Sequence, residues 1–213
     1  YAVKQLFRNV SDMKELSSQS NDLFAMDMET GETKWVYKAR SSIRHNAIAI
    51  GNGNAYLIDK SKEVTDTGKT KVAGNSDEPS EAHLICLDSD AGKVLWEQSA
   101  DIYGTTLALS TMHNVLLMSY QYSQRTFQLP SEKGDRLTGF STTDGKRLWD
   151  TAGSYISRPI INDTTIYAQP HAYNLVSGEK IPGFQIRGRG KGGCGPISGS
   201  NNLLLYRSGT LGY

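Results

Sequence analysis

Short runs of aliphatic, β-branched and aromatic residues recur along this chain, divided by clusters of Gly, Asn, Asp, Ser and Thr. Runs of that length and punctuation read as antiparallel strands. The pattern predicts strands at Leu23 to Met28 and Thr33 to Tyr37, then at Ile43 to Ile50, Ala55 to Ile58, Leu84 to Leu87 and Val94 to Gln98. It continues with Tyr103 to Leu109, Val115 to Tyr120, Ile156 to Ile161 and Thr165 to Gln169, with turns at Gly51-Asn52-Gly53-Asn54 and Asn162-Asp163. Residues 1–20 read two ways. Val3, Leu6, Phe7, Val10 and Met13 fit a helical face, yet the position calls for a strand of a preceding unit.

One phrase recurs four times. Ala25-Met26-Asp27-Met28-Glu29-Thr30-Gly31 leads to Trp35, and Cys86-Leu87-Asp88-Ser89-Asp90-Ala91-Gly92 leads to Trp96. Gly139-Phe140-Ser141-Thr142-Thr143-Asp144-Gly145 leads to Trp149, and Ala172-Tyr173-Asn174-Leu175-Val176-Ser177-Gly178 leads to Pro182. All 3 tryptophans therefore stand four residues after a repeat glycine. Each phrase reads as a hairpin whose glycine takes the positive φ of the turn, with Asp, Thr or Ser bonding the local backbone. Two further strands follow each tryptophan, so the unit has four strands. A four-stranded antiparallel unit repeated at this period is the blade of a β-propeller, an all-β fold. Gly31, Trp35, Gly92, Trp96, Gly145, Trp149 and Gly178 are its structural markers, each tryptophan burying its ring between blades and offering its N–H to a backbone carbonyl.

The phrase Ala-x-Asp-x-x-Thr-Gly-x-x-x-Trp, complete at Ala25 to Trp35, resembles the repeat of the pyrroloquinoline-quinone-like (PQQ-like) propellers, the quinoprotein alcohol dehydrogenase-like superfamily. The later copies depart from it at Cys86, Gly139, Ser141, Asn174 and Pro182. The resemblance runs over residues 21–213, and the closing segment is also similar to that of large secreted bacterial propeller proteins. It implies the fold. It leaves activity open, because dehydrogenases, assembly scaffolds and sensor domains share the repeat.

Strand order gives about three full blades flanked by two half blades, Leu23 to Tyr37 and Cys194 to Ser208. The half blades are able to share one sheet and close a four-bladed ring. The ending at Gly209 to Tyr213 favours instead a partial propeller, a single domain that is a fragment of a larger one. Two polar insertions, Lys60 to Ala82 and Gln121 to Asp135, join the second and third strands of their blades, whereas the third blade makes that connection directly at Gln169-Pro170-His171.

A net charge of +1, with 21% charged residues, argues against a nucleic-acid binder. No apolar run approaches the ~18 residues of a membrane span. Cys86 and Cys194 have no spacing that supports a zinc site, and acidic residues concentrate in the repeat turns at Asp27, Glu29, Asp88 and Asp90. The family's dehydrogenases would bring a quinone with calcium. No Cys-Cys pair of their kind is present, so no cofactor and no metal are expected, with calcium-bound PQQ the exception to look for.

Two basic groupings remain. Arg44-His45-Asn46 aligns with Tyr103-Gly104-Thr105 and with Ile156-Ser157-Arg158 at the entry of successive first strands. Arg44, His45, Tyr103 and Arg158 are thereby expected at one mouth of a channel, where Arg and His hold a carboxylate. The run Arg187-Gly188-Arg189-Gly190-Lys191 precedes the next inner strand and adds Arg187, Arg189 and Lys191 to an anion-binding set. Its glycine spacing is not a Rossmann loop, since no βαβ frame surrounds it. The expectation is a non-catalytic platform for an acidic saccharide, a protein or flanking blades, in a larger periplasmic or secreted protein. The alternative is an enzyme fragment, either a quinone-dependent oxidoreductase or a polysaccharide lyase.

Overall fold

The computed structural model describes residues 19–60, 82–120, 135–186, 197–200, 202–206 and 209–212. These form antiparallel sheets, with no α-helix among the described residues. The fold class is all-β, and its blades are those of a partial β-propeller. Two compact units divide the chain, one holding the described residues up to Thr105 and the other those from Thr106 onward.

The first unit is one five-stranded sheet, ordered β1 (Gln19–Met26), β2 (Thr33–Gly51), β3 (Asn54–Lys60), β4 (Ala82–Asp88) and β5 (Val94–Gln98). Separate half and full blades were expected here. Instead β2, of 19 residues, runs without a break from the outer strand of one blade into the first strand of the next. The reason lies in Asp59 of β3. Its Oδ1 accepts from the backbone N–H of Ser41 and Ser42 at 3.0 and 3.1 Å, and its Oδ2 from that of Arg40 at 2.7 Å and from the Tyr37 hydroxyl at 3.2 Å. A carboxylate thus satisfies the donors of a stretch that leaves the ladder, including that of the buried Ser42, where an unpaired N–H is costly. The register shows the departure. Asp22 pairs with Lys38 but Ser20 with Ile43, and Asp59 pairs with Ile43 but Leu57 with Ile48, so Arg44 to Ala47 stand opposite Ile58 alone. That is a bulge in β2 larger than the usual two residues against one.

Leu23, Trp35, Tyr37 and Ala39 on one face of the β1–β2 hairpin pack on Ile43, Ala55, Leu57, Ile85 and Leu87. The turns use the repeat's own polar residue. Asp27 Oδ1 accepts from Glu29 and Thr30 N–H at 3.0 and 2.9 Å, and Asp88 Oδ1 accepts from Asp90 and Ala91 at 2.9 and 2.7 Å. Asn174 does the same for Val176 and Ser177 in the second unit.

That unit holds a four-stranded sheet, β6 (Thr106–Ser110), β7 (Val115–Ser119), β8 (Arg136–Ser141) and β9 (Arg147–Ala152). Two three-stranded sheets follow, β10 (Ile160–Asn162), β11 (Thr165–Ala168) and β12 (His171–Asn174), then β13 (Ser198–Ser200), β14 (Leu203–Tyr206) and β15 (Gly209–Gly212). Three expectations are corrected. Tyr103 and Gly104 belong to the connection before β6 rather than to a strand. The third blade keeps only a Tyr173–Lys180 bridge where its fourth strand was expected, in the one repeat that carries proline, which has no N–H to give a ladder, at the tryptophan position. The closing segment has a third strand, β15, paired with β14. The core of this unit joins Leu117, Leu137, Trp149, Tyr155, Ile166, Tyr173 and Leu175. Residues 1–18 and most of the two polar insertions lie outside the described residues.

Candidate functional site

The anion-site candidates fall on the connections between blades. Counted from the tryptophans, Arg44, Thr105 and Arg158 are equivalent, each nine residues after Trp35, Trp96 and Trp149. That shifts by two the correspondence that set Arg44 beside Tyr103 and Ile156. Arg44 lies in the β2 bulge and is only 2% exposed, while its neighbour His45 is exposed.

Arg44 shares its surroundings with a residue that the sequence reading placed at the start of a polar loop. Lys60 is the last residue of β3 and is 4% exposed. Its Nζ donates to the Tyr103 carbonyl at 3.1 Å, and its own carbonyl accepts from Ser42 Oγ at 2.9 Å. Burial pushes the Lys60 amine down to about 8, and the Arg44 guanidinium pushes it in the same direction. Two cations are therefore held near one another out of water. Asp59, adjoining Lys60, has both oxygens committed to residues 37–42. Of the sequence-expected set, Tyr103 meets this amine, through its backbone rather than its phenol, and the Arg44 charge acts on it. The signal for Lys60 was present as two charged residues closing the apolar run Tyr56-Leu57-Ile58. A buried end to that strand was not readable from the run itself.

Arg158 occupies the corresponding connection of the second unit, half-buried. Beside it Ser157 Oγ is buried with no hydrogen-bond partner among the described residues. This connection is held by Tyr155, whose hydroxyl accepts from Tyr120 N–H at 2.6 Å and donates to the Arg136 carbonyl at 3.3 Å. Burial raises the Tyr155 phenol well above its ordinary value, so it works as a neutral group. Arg187, Arg189 and Lys191 lie outside the described residues.

At the surface, the residue after each of two tryptophans is a carboxylate held by a cation. Glu97 accepts from Arg40 at 2.6 and 2.8 Å and lies 2.6 Å from His83 Nδ1, and Asp150 is bound by Arg136 and by Thr138 Oγ1. Arg40 and Arg136 hold these carboxyls below the usual range. Cys86 fills the alanine position of its repeat as a buried thiol without a disulfide, pushed up to about 11 by burial.

No three of His, Cys, Asp and Glu among the described residues converge in a way that could hold a metal ion, and Asp27 and Asp88 are occupied in turns. No helix among the described residues is long and apolar enough to cross a membrane.

No curated protein matches the chain. Among solved structures it is similar to a europium-containing methanol dehydrogenase, at 15% identity over 63% of this chain and 22% of that one, with a TM-score of 0.41. It is also similar to quinohemoprotein alcohol dehydrogenase ADHIIG from Pseudomonas putida HK5, at 13% identity over 76% of this chain and 31% of that one, with a TM-score of 0.48. BamB from Moraxella catarrhalis matches at 19% identity over 76% of this chain and 54% of that one, with a TM-score of 0.31. The chain thus spans 22% to 54% of the length of these proteins. A family model described as outer membrane protein assembly factor BamB matches residues 72–186, more than half of the sequence. The chain belongs to that family, whose members are PQQ-like repeat proteins.

Proposed function

We propose that this chain is a non-catalytic, ligand-binding part of a larger periplasmic or secreted protein, and that it takes small carboxylates, including the acid group of an acidic saccharide, at the bulge within β2, beside the end of β3. The observation that carries this reading is the pair of buried cations, Arg44 and Lys60. Burying a charge costs several kcal/mol, and two like charges near each other cost more. A carboxylate entering beside the pair adds charge-assisted bonds, which Arg makes bidentately. Arg158 and the buried Ser157 hydroxyl give the second unit a weaker site of the same kind. The family match supports a scaffold role, since its description is that of an assembly factor.

Titration with glucuronate, and with glucose as the neutral control, tests the proposal by calorimetry at pH 7. Glucuronate is expected to bind, to weaken as salt rises, and to lose at least tenfold in affinity in Lys60→Met. Equal affinity for glucose, or binding untouched by Lys60→Met and by Arg44→Met, refutes the site.

A further inference from the structure

The sheet itself sets Arg44 and Lys60 close together. Ile43 pairs with Asp59, and Arg44 and Lys60 are the next residues on the two antiparallel strands. Alternation along each strand turns both to the face opposite Ile43 and Asp59, at diagonal positions that long side chains span. Arg44 is 2% exposed and Lys60 4%. The Lys60 carbonyl is held by Ser42 Oγ, and its amine has one acceptor among the described residues, the Tyr103 carbonyl at 3.1 Å. The carboxylate beside them, Asp59, is taken by Tyr37 and by the backbone of residues 40–42.

The Arg44 charge ranks the states open to the Lys60 nitrogen. An ammonium adds a second buried positive charge, and burial and the guanidinium both act against it. A neutral amine removes that repulsion and keeps its bond to the Tyr103 carbonyl. An imine formed with an aldehyde has no N–H for that carbonyl and gains nothing from Arg44. A carbamate gains on both counts. Its N–H still serves the carbonyl, and its carboxylate carries the charge that a guanidinium binds most strongly, so a like-charged pair becomes an ion pair.

We infer that Lys60 is a modification site, at which dissolved carbon dioxide adds to the buried amine beside Arg44 and forms a carbamate. The nitrogen lone pair of the neutral amine makes the N–C bond, one C–O π pair moves to oxygen, and the nitrogen sheds a proton to water, with nothing oxidised or reduced. Carbon dioxide is small and uncharged, so it reaches a buried amine without the cost of desolvating an ion. The reactive form is at hand, because an amine at about 8 is roughly a hundredfold richer in its neutral state at pH 8 than an ordinary lysine. The inference goes beyond the carboxylate reading and does not rest on it. The same buried pair underlies both, but the carbamate is an anion built on the chain itself.

The probe is hydrogencarbonate labelled with carbon-13, added to the full chain at pH 8 with no saccharide present. Carbon NMR reads the carbamate, and alkylation with triethyloxonium converts it to a stable ester that peptide mass spectrometry locates. Saturable label at Lys60 is expected, at least tenfold above that on the exposed Lys146, absent in Lys60→Met and reduced at least tenfold in Arg44→Met. Because Arg44→Met alters a buried side chain, the second measurement uses the unaltered chain, in which the Arg44 Nε–H resonance is expected to shift in step with the carbamate signal. The inference is overturned by no label at Lys60, by label there no greater than on Lys146, by equal label in Arg44→Met, or by an Arg44 resonance that stays in place as the carbamate forms. Glucuronate is titrated separately without hydrogencarbonate, so failure of either reading is seen apart from the other.

Discussion

The two connections between blades do one task with opposite chemistry. Midway along β2, the chain is held by a carboxylate, Asp59, against three backbone N–H groups, and the next residue, Lys60, is a cation. After β9, it is held by a neutral phenol, Tyr155, sunk in the same apolar core as Trp149. A charged tie places a strong local field at the point where the chain bulges, and with it the means to bind an anion. A neutral aromatic tie anchors the connection through packing and leaves less charge for a ligand.

The contrast is open to direct attack. Trp149→Ala is expected to cost the second unit ~4 kcal/mol, through lost packing against Tyr173 and Leu175 and the loss of its bond to the Leu175 carbonyl. Chemical denaturation followed by near-ultraviolet circular dichroism measures it, and a cost below ~1 kcal/mol would show that the aromatic anchor is not what holds that unit. Asp59→Ala is expected to cost ~3 kcal/mol, because it removes the acceptor of three N–H donors at once and strands that of the buried Ser42. Tyr155→Phe removes one neutral tie and is expected to cost only ~1 kcal/mol. Equal costs for these two would erase the distinction between the ties.

A pH profile sharpens it further. The Lys60 amine lies at about 8 in the folded chain and near its ordinary value when unfolded, so between these values the unfolded state binds more protons. Lys60 is therefore expected to contribute a rise of ~2 kcal/mol from pH 8 to pH 10, with the penalty of the buried charge fully present below 8, while the buried Cys86 thiol, raised from 9.0 to about 11, acts in the opposite sense above 9. Tyr37, raised by burial and by Asp59, acts in the opposite sense only above its ordinary value of 10.0. Denaturant midpoints across this range, taken as the difference between the chain and Lys60→Met, measure the Lys60 share. The smallest effect is expected at the surface, where Arg40→Ala removes the clamp on Glu97 and should cost under ~1 kcal/mol, as exposed pairs do.

The repeat glycines, the turn carboxylates and the tryptophan spacing made the hairpins legible, because each rests on local backbone chemistry within a few residues. Strand ends were legible where Gly and Asn mark them, as at Gly51 to Asn54. They were not legible where a distant side chain decides. Asp59 keeps Lys38 to Ser42 extended from about twenty residues away, and no local pattern in those five residues records it. Lys60 was read as loop because lysine is rarely buried. Its burial follows from a carbonyl at Tyr103, which only the fold brings near. Arg44 was identified by position in the repeat, and the bulge that encloses it depends on a register between β2 and β3 that the sequence does not display.

The most direct test is the titration of the Lys60 amine itself, followed by NMR of its Cε and Nζ with and without glucuronate. The carboxylate reading predicts a midpoint at about 8 in the unliganded chain, moving upward when the acid binds, because a bound carboxylate favours the charged amine. A midpoint near 10.5 in the unliganded chain, or one near 8 that glucuronate leaves in place, would contradict it.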